Sequence, residues 1–134
     1  MEIKITKGMS IIYKREVTAG DTSRDYSSSA LEFLLSTPGI VHMVTEGSVK
    51  LLDHLVPDGY ITVSGKVDIS HINPTMVGEK VNIILTVEEI QGYKIILDVK
   101  VHDSVGLIAY GKHERFITDS SKLMANAYKR LGKA

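Results

Sequence analysis

Two side chains of this 134-residue sequence, the hydroxyl of Thr37 and the imidazole of His71, are candidates for a nucleophile and base that could act on a carbonyl. Acyl transfer needs a nucleophile, a base to activate it and donors for the developing oxyanion. Thr37 offers a hydroxyl that either attacks or positions a water. Histidine changes charge near neutral pH without a large perturbation, which makes His71 the natural base. Each also has an ordinary structural reading. Ser36-Thr37-Pro38 resembles a helix start, where a hydroxyl cap contributes about 1 kcal/mol. His71 falls in phase with Val67 and Ile69 and suits a hydrogen-bonded histidine on an inward strand face. Arg115, in phase with His113, calls for a carboxylate partner if buried, so a structural ion pair and a substrate contact both stand open.

The elements that must hold these groups can be read from periodicity. Met9 to Val17 alternates as a first strand, and residues 18–28 form a polar loop. The helix opened by Ser36-Thr37-Pro38 should run to about Leu55, before Pro57-Asp58-Gly59. Ile40, Met43, Val44, Gly47, Leu51 and Leu55 share its apolar face, with His42, Glu46, Lys50 and Asp53 opposite and Thr45 at the stripe's edge. Glu46 and Lys50 have the spacing of an i,i+4 pair. The next strand carries Ile61, Val63, Val67, Ile69 and His71 on one face and Thr62, Ser64, Lys66, Asp68 and Ser70 on the other. Val81–Ile90 and Tyr93–His102 suggest a hairpin turning at Gln91-Gly92, Leu107–Thr118 is a last strand, and Asp119 caps an amphipathic C-terminal helix through Leu123, Ala127 and Leu131. One long helix followed by four strands predicts an α+β domain spanning residues 1–134, an antiparallel sheet on one helix.

Composition narrows the function. Sixteen basic and sixteen acidic residues cancel, so no net field draws the protein to nucleic acid or an anionic membrane. Without cysteine there is no thiolate nucleophile, disulfide or Cys-type zinc site, and His42, His54 and His102 lack metal-ligand spacing. No Gly-rich phosphate loop occurs. The N-terminus has no secretory pattern and no apolar run would span a bilayer, so a cytoplasmic protein is expected.

Three segments carry a more specific signal: Leu35-Ser36-Thr37-Pro38-Gly39-Ile40; Ser64-Gly65-Lys66-Val67-Asp68-Ile69-Ser70-His71 followed by Pro74 and Val77-Gly78-Glu79; and His102-Asp103 with Gly111-Lys112-His113-Glu114-Arg115. In order and spacing they resemble the fluoroacetyl-CoA thioesterase branch of the hot-dog thioesterases. The resemblance implies a hot-dog fold, a sheet wrapped around one long central helix with an additional C-terminal helix. It also implies an acyl-CoA thioesterase acting on a small or medium acyl group. In that family a threonine, a glutamate and a histidine form a catalytic triad. Thr37 and His71 match; the glutamate position falls on Thr45, with Glu46 one residue late. The resemblance further places Ser64 and Gly65 near the acyl group by their backbone, and matches Arg115 to an arginine that lies close to the substrate or holds the site together. It implies a homodimer or a dimer of dimers, with coenzyme A entering only as part of the substrate and no separate cofactor or metal. Lys122, Lys129, Arg130 and Lys133 are most simply a solvated helix face, or else meet coenzyme A phosphates. The competing reading is a non-catalytic acyl-CoA or small-ligand binding protein that has lost the triad carboxylate.

Overall fold

The computed structural model describes residues 2–133, so the end residues 1 and 134 of the expected 1–134 domain lie outside the described residues. Strand β1 (Ser10–Glu16) leads through a loop to helix α1 (Thr37–Leu52). Strands β2 (Tyr60–His71), β3 (Lys80–Gln91), β4 (Lys94–His102) and β5 (Leu107–Asp119) follow, and after them helix α2 (Ser120–Arg130). The five strands form one antiparallel sheet in the order β1-β3-β4-β5-β2. The sheet packs on α1, the hot-dog arrangement expected.

The predicted helix face is the one that is buried. Ile40, Met43, Val44, Gly47 and Leu51 lie against inward residues of the sheet such as Leu85, Leu97 and Val99. Gly47 permits the close approach of helix and sheet, since a Cβ there would stand 3.0 Å from Leu85 and 3.2 Å from Tyr13. The helix proper stops at Leu52, and residues Asp53–Leu55 form one 3₁₀ turn before Pro57. The hairpin turn is Gly92-Tyr93 between paired Gln91 and Lys94, one residue beyond the expected dipeptide, with Gly92 at φ +63°. Asp119 caps α2 as predicted, accepting from the Ser121 and Lys122 N–H groups.

Strand β2 departs from simple alternation where it pairs with β5. The β2–β5 register slips between Ser64 and Lys66, a bulge at Gly65. Ahead of it Thr62 points inward and is buried; beyond it the inward phase passes to Ile69 and His71. The expected single face of Ile61, Val63, Val67, Ile69 and His71 is therefore split, because the extra residue inverts the side-chain phase. Gly65 leaves room for its neighbour: a Cβ there would lie 2.1 Å from the Phe116 ring, which would have to move.

Candidate active site

The start of α1 assigns separate jobs to two adjacent hydroxyls. Ser36 is the N-cap, its Oγ accepting the Gly39 N–H at 2.9 Å. Pro38 has no N–H to satisfy, and the Ile40 N–H is taken by the Ser36 carbonyl. Thr37 is thus not the cap. Its exposed side chain turns to the end of β2, where Oγ1 lies 2.9 Å from His71 Nδ1. The capping also leaves the Thr37 N–H as the first-turn donor not used within the helix, at the positive end of the helix dipole.

The loop before α1 is fastened on both sides. The Asp21 carbonyl accepts from both the N–H and the hydroxyl of Ser36, at 2.9 Å each. Leu35 N donates to Thr75 O and Val77 N to Phe33 O, so residues 33–35 run beside 75–77. Asp21 is in turn held by the Arg15 guanidinium at 3.1 and 3.2 Å and by the Thr18 N–H and hydroxyl. Between loop and β2 opens a cleft of about 430 Å³, with Thr37 and His71 in its wall among Tyr26, Leu31, Leu35 and Ile72.

Among the described residues, no carboxylate backs His71. Thr45 donates its hydroxyl to the Val41 carbonyl one turn back. Glu46 is engaged by Arg15 and lies 3.6 Å from His42 Nε2, so the expected pairing with Lys50 gives way to a tie between helix and β1. Lys50 stands over the Tyr13 ring instead. His71 Nε2 is buried and has no hydrogen-bond partner among the described residues. Nor do those residues contain a group of three His, Asp or Glu side chains able to hold a metal.

With this geometry in place, comparison with known families is decisive. Residues 17–121 match the family described as Fluoroacetyl-CoA-specific thioesterase (FlK). The chain belongs to this thioesterase family. Among curated proteins, none matches the sequence. Solved structures share the fold. A hot-dog-like protein from Thermanaerovibrio acidaminovorans is 27% identical, with 94% of this chain and 93% of that one covered and a TM-score of 0.88. A point mutant of the fluoroacetyl-CoA-specific thioesterase FlK is 20% identical, covering 94% and 97% at a TM-score of 0.87. A form of that mutant in complex with fluoroacetate and CoA is 21% identical, covering 89% and 99% at a TM-score of 0.83.

The remaining residues that the resemblance to the FlK family placed near substrate belong to a different centre. Ser64, Gly65 and Arg115 do not line the Thr37–His71 cleft. The Gly65 bulge turns Ser64 inward, where its hydroxyl meets His113 Nε2 at 2.7 Å and accepts from Arg115 at 2.9 Å. Arg115, 2% exposed, also donates to the Thr62 hydroxyl and carbonyl. Thr62 in turn donates to Asp53, so among the described residues the expected direct ion pair of Arg115 is replaced by a link to a carboxylate through that hydroxyl. On the far side of the fully buried His113, Nδ1 lies 3.0 Å from Ser48 Oγ. The Ser48 hydroxyl already donates to the Val44 carbonyl, so it accepts the His113 Nδ1 proton. That fixes the tautomer, and the Ser64 hydroxyl donates to Nε2. Burial, and secondarily the Arg115 charge, push the His113 pKa down to about 4 and keep the ring neutral. Nothing in the periodicity announced this chain of bonds, although His113 and Arg115 in phase on one strand were half of it.

Proposed function

We propose that the protein hydrolyses the thioester of a small or medium acyl-CoA, with Thr37 and His71 as its reacting pair. The 2.9 Å contact between Thr37 Oγ1 and His71 Nδ1, at the wall of a cleft, carries this reading. With the imidazole proton on Nε2, Nδ1 accepts the Thr37 proton as Oγ1 attacks the thioester carbonyl carbon. The Thr37 N–H faces the developing oxyanion. As the C–S bond breaks, the proton passes from His71 to the coenzyme A sulfur. Water, deprotonated by His71, then cleaves the acyl-threonine and returns the hydroxyl. In the variant of this scheme where Thr37 only orients a water, that water attacks the thioester directly and no acyl-threonine forms.

The protomer is proposed to work as a homodimer or dimer of dimers in the cytoplasm. Support for association comes from β2, an edge strand whose residues 64–68 are all exposed. No helix among the described residues is long and apolar enough to cross a membrane.

A second reading, a non-catalytic acyl-CoA binder, is favoured by one observation: Nε2 of His71 has no carboxylate partner, and neither Thr45 nor Glu46 is bonded to it. Single-turnover hydrolysis of an acyl-CoA panel by wild type and His71→Ala separates the two. The thioesterase reading expects a loss of about 10²-fold or more in the variant. Equal slow rates would leave only the binder.

A further inference from the structure

We propose that the cleft beside Thr37 and His71 selects an uncharged, apolar acyl group longer than two carbons. This rests on the thioesterase reading above and specifies its substrate class. No Asp, Glu, Lys or Arg lines the cleft. Its wall is built from Tyr26, Leu31, Leu34, Leu35, Ile72 and Pro74. Tyr26, Leu31 and Ile72 are 63%, 38% and 48% exposed, an unusual amount of apolar surface to converge on one opening. The rim continues in kind. Phe33 and Met76, each 58% exposed, stand on the two segments that the Leu34–Met76 bridge joins.

Two of the polar side chains in the wall are already committed. Ser36 Oγ serves the helix cap and the Asp21 carbonyl, and Asn73 Nδ2 donates to Leu107 O at 2.8 Å. The neighbouring charges, Arg24 and Asp25, are exposed and pair with each other at 3.8 Å. An acyl chain ending in a carboxylate would therefore lose its water and find no cation in exchange. A volume of about 430 Å³ lies within the range of small-molecule sites and greatly exceeds the needs of a two-carbon group. Each methylene placed against this wall should tighten binding roughly fourfold.

The test is calorimetric titration with non-hydrolysable thioethers: S-ethyl-, S-butyl-, S-hexyl- and S-(3-carboxypropyl)-CoA, with coenzyme A alone as reference. Affinity is expected to rise along the alkyl series by roughly two- to fourfold per methylene. The carboxypropyl compound should bind at least about tenfold more weakly than S-butyl-CoA. Leu31→Lys, on an exposed turn that tolerates the change, should weaken S-hexyl-CoA and strengthen the carboxypropyl analogue. A flat alkyl series, or a carboxypropyl compound equal to S-butyl-CoA, would overturn the proposal. So would coenzyme A alone binding as tightly as S-hexyl-CoA, which would give the cleft to the pantetheine arm. Because binding is read without turnover, the alkyl preference can stand even if hydrolysis of the corresponding thioesters is absent; that result would sink the thioesterase reading alone.

Discussion

His71 and His113 each sit beside a hydroxyl, at 2.9 Å from Thr37 and 3.0 Å from Ser48, yet their surroundings are opposite. His113 is sealed between α1 and the sheet, both ring nitrogens bonded and its tautomer dictated by a serine that has already spent its proton. His71 borders an open cleft with one nitrogen on an exposed threonine and the other without a partner. A saturated, buried imidazole cannot exchange protons with a substrate without breaking its own bonds; a half-engaged one at a surface can. The contrast separates a histidine bonded into the interior from the one proposed to do chemistry, although both stand on strands of one sheet.

The sharpest way to break this division is at Thr37. Thr37→Ala should lower the single-turnover rate on the order of 10³-fold. It should leave urea stability within about 0.5 kcal/mol, because the side chain is exposed and Ser36 provides the cap. A large stability loss would return Thr37 to a structural role.

The His113 side of the comparison is read by pH. Its folded pKa of about 4 lies below the ordinary 6.5, so the unfolded chain binds the proton first as pH falls. The contribution to stability is complete above about pH 6.5, declines between 6.5 and 4, and is lost below. Its size is on the order of 3 kcal/mol. Urea unfolding across that window should show the decline in wild type and lack this component in His113→Gln.

A smaller effect sharpens the boundary between neighbours. Ser36→Ala removes the cap and should cost about 1 kcal/mol, while the rate falls less than tenfold. Capping and chemistry would then be separated by one residue, and a loss of rate as large as that of Thr37→Ala would merge them.

Much of this was legible in the sequence. Apolar spacing gave the buried face of α1, and the strand runs gave an antiparallel sheet around it, because local period reports which side meets the core. The family resemblance singles out Thr37 and His71, and their side chains lie 2.9 Å apart. The assignment of the cap was not legible: Thr-Pro and Ser-Thr are both good starts, and only the fixed Asp21 carbonyl, which anchors Ser36, decides between them. Ser64 was placed on the wrong face because a bulge adds one residue to a period of two, and Gly65 signals it only once Phe116 is known to lie opposite. Glu46 was paired with Lys50 by helical spacing, whereas Arg15, 31 residues away, claims it. Partners brought together by tertiary structure leave no local trace.

The most direct test pairs the two histidines in one experiment, measuring acyl-CoA single-turnover rate and thermal stability for His71→Gln and His113→Gln. His71→Gln should lose about 10²-fold or more in rate with its melting temperature nearly unchanged, and His113→Gln should lose stability yet retain its rate within a few fold while folded. A His71→Gln protein that hydrolyses acyl-CoA at the wild-type rate would contradict the account.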